Sequence, residues 1–349
     1  MNRIVKIVGL DIAKSVFAIV GIDVHGKVVF KQMLKRDQVL ERFANMPVTA
    51  VAIEACAGSH YWARELRKLG HEVRLIAAQH TRRYVSGNKN DLNDAQAIAE
   101  ARSREQTKYV PVNTEAQQEL QMLHRTREAL MQERTATINR MRAFAAEYGQ
   151  VFPVGVAKFR AQFDEWIKEG NNGLSGSVVE TLLELRAQLN EKEARINRYD
   201  ERLTQAAKDD PRAGRLMEVP GVGKITATAI LAAVADARHY SNGRDFAANL
   251  GLAPREHSSG GRQRLYGITK RGDTYLRTLL IHGARSALRC AGDKPDKMLC
   301  WASKLAQRSQ YNVAAVALAN KMARTVWAIL AHERSYVPVW SKGMTTPAG

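Results

Sequence analysis

Ile7-Val8-Gly9-Leu10-Asp11-Ile12 is an apolar run with one carboxylate set inside it, and its reading decides how the first hundred residues fold. A carboxylate in a sheet core is costly to bury, so one is normally absent, neutralised or bound to a cation. Outward from this run, Ile4 to Ile12, Val16 to Ile22 and Val28 to Met33 read as three short strands, with Asp23-Val24-His25-Gly26 turning between the last two. Strands joined by tight turns pair antiparallel. A polar helix over Asp37 to Asn45, a strand over Val48 to Ile53 and a helix over His60 to Leu69 follow. Then come a strand over Glu72 to Ile76 and a helix from Asp91 to Arg104. The order β-β-β-α-β-α-β-α predicts a mixed sheet flanked by helices.

Three more acids fall where that topology makes them matter. Glu54 leaves the end of the fourth strand, and Asp91 and Asp94 stand at i and i+3 at the start of a helix, where the backbone dipole favours negative charge. Taken alone, the pair reads better as an N-cap than as a metal site, and it is the context that reverses this. With Asp11 on the first strand, all four can converge at one sheet edge and hold two Mg²⁺ ions, with Mn²⁺ as a substitute, for phosphodiester chemistry. Lys89, just before the pair, is placed either near a phosphate or simply in solvent. A mixed sheet with acids at its edge is the arrangement of RNase H-like (RuvC-like) nucleases.

The chain changes character after residue 111. Residues 113–148 carry Leu120, Leu123, Leu130, Ile138, Met141 and Ala145 at three-to-four spacing, with Thr114 and Gln117 resembling a capping box. A second long helix is expected from Ser177, with Leu182, Leu185, Leu189, Ile196, Tyr199 and Leu203 as a heptad seam broken by Lys192. Joined by the glycine-bearing stretch 169–176, the two predict an antiparallel coiled coil over 112–210; ordinary packed helices are the competing reading. Residues 211–337 read as a mainly α domain with helices at Thr274 to Arg289, Lys297 to Arg308 and Val313 to Glu333. Residues 338–349 read as a flexible tail.

Composition narrows the partners. Lys and Arg number 53 against 35 Asp and Glu, a formal net charge of +18, enough to attract polyanions at long range and make affinity salt-dependent. Nucleic acid is the first partner expected. No apolar run approaches about 18 residues without charge, so no membrane partner is expected and the protein reads as cytoplasmic and nucleoid-associated. Cys56, Cys290 and Cys300 lack zinc-site spacing and read as packing residues of a reducing compartment.

Two further motifs suit nucleic acid. Val219-Pro220-Gly221-Val222-Gly223-Lys224, followed by an alanine-rich helix over Ile225 to Ala235, reads as a helix-hairpin-helix whose backbone N–H groups bind phosphate; a plain helical connection competes with it. The stretch from Gly251 to Gly272 centres on Ser258-Ser259-Gly260-Gly261. Residues 244 to 290 hold nine Lys/Arg and three Asp/Glu, a local net of +6. Arg255, Arg262, Arg264, Lys270 and Arg271 around a serine suit a phosphoryl-transfer nucleophile, since guanidinium groups stabilise charge on a phosphorane; a basic DNA-binding loop is the competing reading.

Together, Gly9-Leu10-Asp11-Ile12-Ala13-Lys14, Ile53-Glu54-Ala55, residues 88–95 with Asp91 and Asp94, Val219 to Gly223 and Gly251 to Gly261 resemble the DEDD transposases of bacterial insertion sequences, which include the Piv-type DNA invertases. The resemblance covers nearly the whole chain in order. It implies a RuvC-like domain (1–111), a coiled-coil insertion and a C-terminal transposase domain with a serine loop. Its metal-binding acids correspond to Asp11, Glu54, Asp91 and Asp94. Its serine corresponds to Ser259, with neighbouring Ser258 one residue away. It also implies a phosphoserine link to DNA, composite sites in a dimer or tetramer, and a bridge RNA that selects DNA element ends and target. The rival reading is a junction-resolving endonuclease in which the same acids activate water. A non-catalytic nucleic-acid-binding protein ranks third.

Overall fold

The computed structural model describes residues 4–85, 90–104, 107–169, 173–292 and 296–338. Asn88, Lys89 and the tail from 339 lie outside them. The chain divides into two compact units, Met1–Glu115 and Ala116–Gly349.

The first unit runs β1 (Ile7–Asp11), β2 (Val16–Ile22), β3 (Val28–Lys35), α1 (Val39–Ala44), β4 (Ala50–Glu54), α2 (Ser59–Lys68), β5 (Glu72–Ile76), α3 (Ala78–Thr81), α4 (Asp91–Arg102) and β6 (Tyr109–Val110). The sheet order is β3-β2-β1-β4-β5-β6. β1, β2 and β3 pair antiparallel, β1–β4 and β4–β5 pair parallel, and β6 returns antiparallel to β5. This is a mixed α/β sheet consistent with an RNase H-like fold. Periodicity did not foreshadow the two-residue β6 or the short α3, because neither is long enough to show a repeat.

Side chains alternate across a strand, so each strand divides its residues between two layers. Val8, Leu10, Phe17, Ile19, Val51, Ile53, Val73 and Leu75 pack with Trp62, Ala63 and Leu66 of α2 and with Val39 and Phe43 of α1. On the opposite face, Ala18, Val20 and Ile22 meet Ala95 and Ala99 of α4, while Ala52 and Ile76 meet Ile98 and Ala101. The residues facing α4 are smaller, and the helix lies correspondingly close.

The second unit is helical: α5 (Glu115–Ala146, starting one residue before the boundary), α6 (Val156–Lys168), α7 (Gly176–Asp209), α8 (Pro211–Met217), α9 (Lys224–Ala233) and α10 (Gly243–Asn249). A hairpin of β7 (Pro254–Glu256) and β8 (Leu265–Ile268) precedes α11 (Thr274–Arg289), α12 (Lys297–Arg308) and α13 (Tyr311–His332). α5 and α7 run antiparallel, tied by Arg127 to Asp200 and by Lys192 to Glu133 at 3.7 Å, so the lysine that breaks the leucine seam has an acidic partner. The expected pair of long helices omitted α6. Phe159, Phe163 and Trp166 of α6 form one core with Met141 and Ala145 of α5 and Leu182, Leu185 and Leu189 of α7. Asp164 takes a two-pronged bond from Arg186 at 2.7 and 2.8 Å, fixing α6 to α7. α7 begins two residues earlier than the expected Ser177 cap suggests; Ser175 accepts from Val178 N instead.

The remaining helices enclose a core centred on α13, whose Ala314, Ala315, Leu318, Ala319, Met322, Ala323 and Val326 are buried. Among the described residues α13 is the one helix long and apolar enough to cross a membrane, and its buried face is the centre of this core. The cysteine expectation is corrected: Cys56, Cys290 and Cys300 are all exposed, lying after β4, at the end of α11 and on the outer side of α12.

Candidate active site

β1 and β4 are adjacent and parallel, with Leu10 opposite Ile53. Asp11 and Glu54 are therefore the next residues of each strand, at the same edge. Gly9 and Ala52 lie on the α4 face, and strand alternation puts Asp11 and Glu54 on that face too. Gly9 sets the depth of the helix: a Cβ there would stand 2.0 Å from the Ala95 carbonyl oxygen and 2.7 Å from Ala99 N. Lacking that atom, β1 receives the first turns of α4 directly, and the helix start reaches the strand end. A lone glycine inside a strand is the sequence signal for such an approach.

At the helix start, Asn90 is the cap: its side chain accepts from Leu92 N at 2.9 Å, and its carbonyl accepts from Asp94 N at 2.9 Å. Capping thus falls to Asn90 and not to either aspartate. Asp11, Asp91 and Asp94 each present a carboxylate oxygen, all within 4.8 Å of one another. Glu54 is outside that trio; the buried Thr81 hydroxyl of α3 donates to its carboxylate. Burial, then the charges of Asp94, Asp91 and Glu54, push the Asp11 carboxyl up to about 6. Three carboxylates gathered this closely are a hard-oxygen set suited to a divalent cation. Cys56, at the surface after β4, has its thiol pKa raised by partial desolvation of the sulfur and then by Asp11 and Glu54.

In the second unit, the serine stretch is the tip of a β-hairpin between β7 and β8. Gly260 and Gly261 both have positive φ (57° and 74°), and Arg262 N donates to Ser259 O at 3.1 Å, the geometry of a type I′ turn. Ser258 and Ser259 are distinguished by their partners. The Ser258 hydroxyl donates to Glu256 at 2.5 Å and accepts from Arg264 N at 3.3 Å. Ser259 is exposed, and its hydroxyl has no hydrogen-bond partner among the described residues. Arg255, Arg262, Arg264, Lys270 and Arg271 are also exposed and form no ion pair among the described residues.

The stem below this tip is fixed by contacts that sequence reasoning did not isolate. Buried Arg277 of α11 donates to the Leu250 and Arg271 carbonyls at 3.0 and 3.2 Å. A Cβ on Gly251 would meet Arg271 O at 2.0 Å, and one on Gly272 would meet Asn249 O at 1.8 Å. Backbone thus lies on backbone where the hairpin enters and leaves.

The turn between α8 and α9 holds the other expected nucleic-acid residues. Val222 N donates to Val219 O at 2.9 Å across Pro220 and Gly221, the latter at φ +88°. Gly223 and Lys224 are exposed, while Pro220 and Gly221 are half-buried. Gly221 also serves packing, because its Cβ would come 2.5 Å from Gly283 O of α11.

A DEDD transposase family model matches residues 8–149, and the transposase model described as the IS116/IS110/IS902 family matches residues 213–298. A probable family 20 transposase of Pseudomonas aeruginosa is 48% identical over 332 residues, covering 95% of this chain and 98% of the relative. The transposase for insertion sequence element IS1111A of Coxiella burnetii is 41% identical, covering 95% and 91%. The transposase for insertion sequence element IS1328 of Yersinia enterocolitica is 37% identical, covering 93% and 96%. With its acid-edged α/β unit and its serine-tipped helical unit, the chain belongs to the IS110 group of DEDD insertion-sequence transposases.

Proposed function

We propose that this transposase cleaves and rejoins DNA by metal-dependent phosphoryl transfer with Ser259 as nucleophile. The observation that carries the reading is the trio Asp11, Asp91 and Asp94, whose carboxylate oxygens lie within 4.8 Å of one another at the C-terminal edge of β1. Together with Glu54, these acids would hold Mg²⁺, two ions in the full reading, with Mn²⁺ as a substitute. When bound, the ions supply charge neutralisation at the attacking and leaving oxygens.

The chain's own residues do the rest. Ser259 Oγ forms a bond to phosphorus as the P–O bond to the departing strand breaks, and the hydroxyl proton ends on the released strand end. Ser259 is favoured over Ser258 because the Ser258 hydroxyl is engaged with Glu256. Arg255, Arg262 and Arg264 lie near Ser259 in the chain, on the same hairpin, where they can stabilise charge on the phosphoryl group. Lys270 and Arg271 extend the basic surface, and Pro220, Gly221, Gly223 and Lys224 form a helix-hairpin-helix that grips phosphate without reading sequence. The antiparallel α5 and α7 serve as the coiled coil of a homodimer or tetramer with composite active sites. A bridge RNA selects the DNA, a reading in keeping with the net charge of +18.

The test is a suicide-substrate assay for a covalent protein–DNA adduct. Ser259→Ala is expected to abolish the adduct and Ser258→Ala to retain it. Free 5′-phosphate ends with no adduct in the unsubstituted protein would instead identify the water-activating endonuclease reading.

A further inference from the structure

Within the second unit, α10, α12, α13 and the segment 334–338 border an open cavity of about 760 Å³ whose lining cations are Arg244, Lys297, Lys321, Arg324 and Arg334. No carboxylate lines it, and none of the five forms an ion pair among the described residues. Three acids close by in sequence or space are already engaged. Asp296 caps α12 through Leu299 N at 2.9 Å and accepts from the Tyr336 hydroxyl at 2.7 Å. Glu333 pairs with Arg238 at 3.4 Å, and Glu218 accepts from Tyr336 N at 2.7 Å. The positive charge is therefore not neutralised from within.

The lining is held in place by the fold. The Lys321 ammonium sits 3.7 Å from the centroid of the Trp301 ring, and burial together with Arg324 lowers its pKa, a cost that an anion would offset. Trp327 is anchored by its indole N–H to Ala237 O at 2.9 Å, and Tyr336 by its hydroxyl to Asp296, so both rings border the cavity with their polar atoms committed. Gly243 lets α10 rest on the Arg324 backbone, where a Cβ would stand 3.0 Å from the carbonyl oxygen. Cations beside aromatic rings are the two ingredients of single-strand recognition, the first for phosphate and the second for base stacking. A concavity of this size lies within the range of pockets for small ligands, about 300–1,000 Å³, and admits an extruded nucleotide but not a stacked duplex.

We propose that this cavity is a second nucleic-acid site, which takes unpaired nucleotides of a strand through its cations and the faces of Trp327 and Tyr336. It rests on the proposed function only in taking nucleic acid as the ligand; none of its residues belongs to the acidic trio or the serine hairpin.

The test uses the full chain and fluorescent oligomers of about 12 nucleotides: single-stranded DNA, single-stranded RNA and a DNA duplex. The double variant Arg244→Gln/Arg324→Gln is expected to bind single strands about tenfold more weakly, with a salt dependence shallower by about 0.7 per cation removed. Duplex affinity is expected to stay within about twofold. A control that neutralises two exposed cations elsewhere, Arg140→Gln/Lys158→Gln, separates a site from diffuse charge. Photocrosslinking of a halogenated single strand to the unsubstituted protein is expected to label the peptide holding Trp327 and Tyr336. The proposal is overturned if the control loses as much affinity, if duplex and single strand weaken equally, or if crosslinks map elsewhere. A preference for RNA or for DNA in these assays identifies the source of the strand. Asp94→Asn is expected to leave the single-strand binding intact, so a failure of the cleavage reading and a failure of this one are separable.

Discussion

The acidic edge of the first unit and the serine tip of the second are built in opposite ways. Asp11 and the two α4 aspartates are located by close packing, with Gly9 under Ala95 and with Ala18 and Ala52 on the same face. Ser259 stands on an exposed turn whose two glycines have nothing within 4 Å of a would-be Cβ, and the hairpin is pinned at its stem. A charge cluster needs fixed separations, because carboxylate positions decide whether cations fit. A serine in the proposed role, reaching and leaving a strand, gains from a short arm on a rigid base.

The contrast can be broken most sharply at the acids. Asp94→Asn is expected to lower strand cleavage on the order of a thousandfold and to abolish calorimetric Mn²⁺ binding, with the fold retained. Unaltered cleavage would remove the trio from the chemistry. Next in size, Gly9→Ala is expected to cost about 3 kcal/mol of stability in urea unfolding, because the new methyl meets backbone that cannot step aside. A loss under about 1 kcal/mol would mean that α4 is not held by this approach.

One group in each unit should answer pH with opposite signs, read by hydrogen exchange in the segments around it. The Asp11 carboxyl is raised from 3.8 to about 6, so without metal the folded first unit binds the proton more tightly than the unfolded chain; stability falls as pH rises from about 4 to about 6. His124, buried between Thr228 and Tyr275 at 3.0 Å each, is lowered from 6.5 to about 4 by burial and then by Arg127. Its contribution is complete above about 6.5 and is lost as pH falls toward about 4, by up to about 3 kcal/mol. His124→Gln is expected to flatten that slope. A slope unchanged by the substitution would move the titration to another group. The smallest effect is expected at the tip: Gly261→Ala meets open space but a positive φ, and should cost about 1 kcal/mol while slowing adduct formation. A loss as large as that of Gly9→Ala would show that the tip is as tightly packed as the edge.

The features visible in the sequence are those with a long repeat or an unusual burial. β1 to β5 and α4 follow from apolar runs, and Asp11 stands out because an acid is out of place there. α11 and α12 begin and end where periodicity places them. α6 carries Val156, Phe159, Phe163, Trp166 and Ile167 at three-to-four spacing, but the repeat spans only 13 residues between glycine-bearing flanks and is overshadowed by the 32- and 34-residue helices on either side. The serine hairpin is not legible from Gly260-Gly261 alone, since paired glycines suit an irregular loop as well as the type I′ turn they form between short extended runs. Thr81 and Arg277 carry no local pattern at all. Their importance comes from partners 27 residues away in one case and 27 and 6 in the other, distances only the folded chain closes.

The contact of Gly221 with Gly283 ties the α8–α9 turn to the middle of α11, and the hairpin stem feeds directly into the start of that same helix. From Thr274 to Gly283 the helix rises about 14 Å, close to four steps of a DNA strand at about 3.4 Å each. With the turn seating a phosphate and the hairpin carrying the nucleophile, as proposed above, this one helix would act as a measuring rod that sets how many nucleotides separate the two.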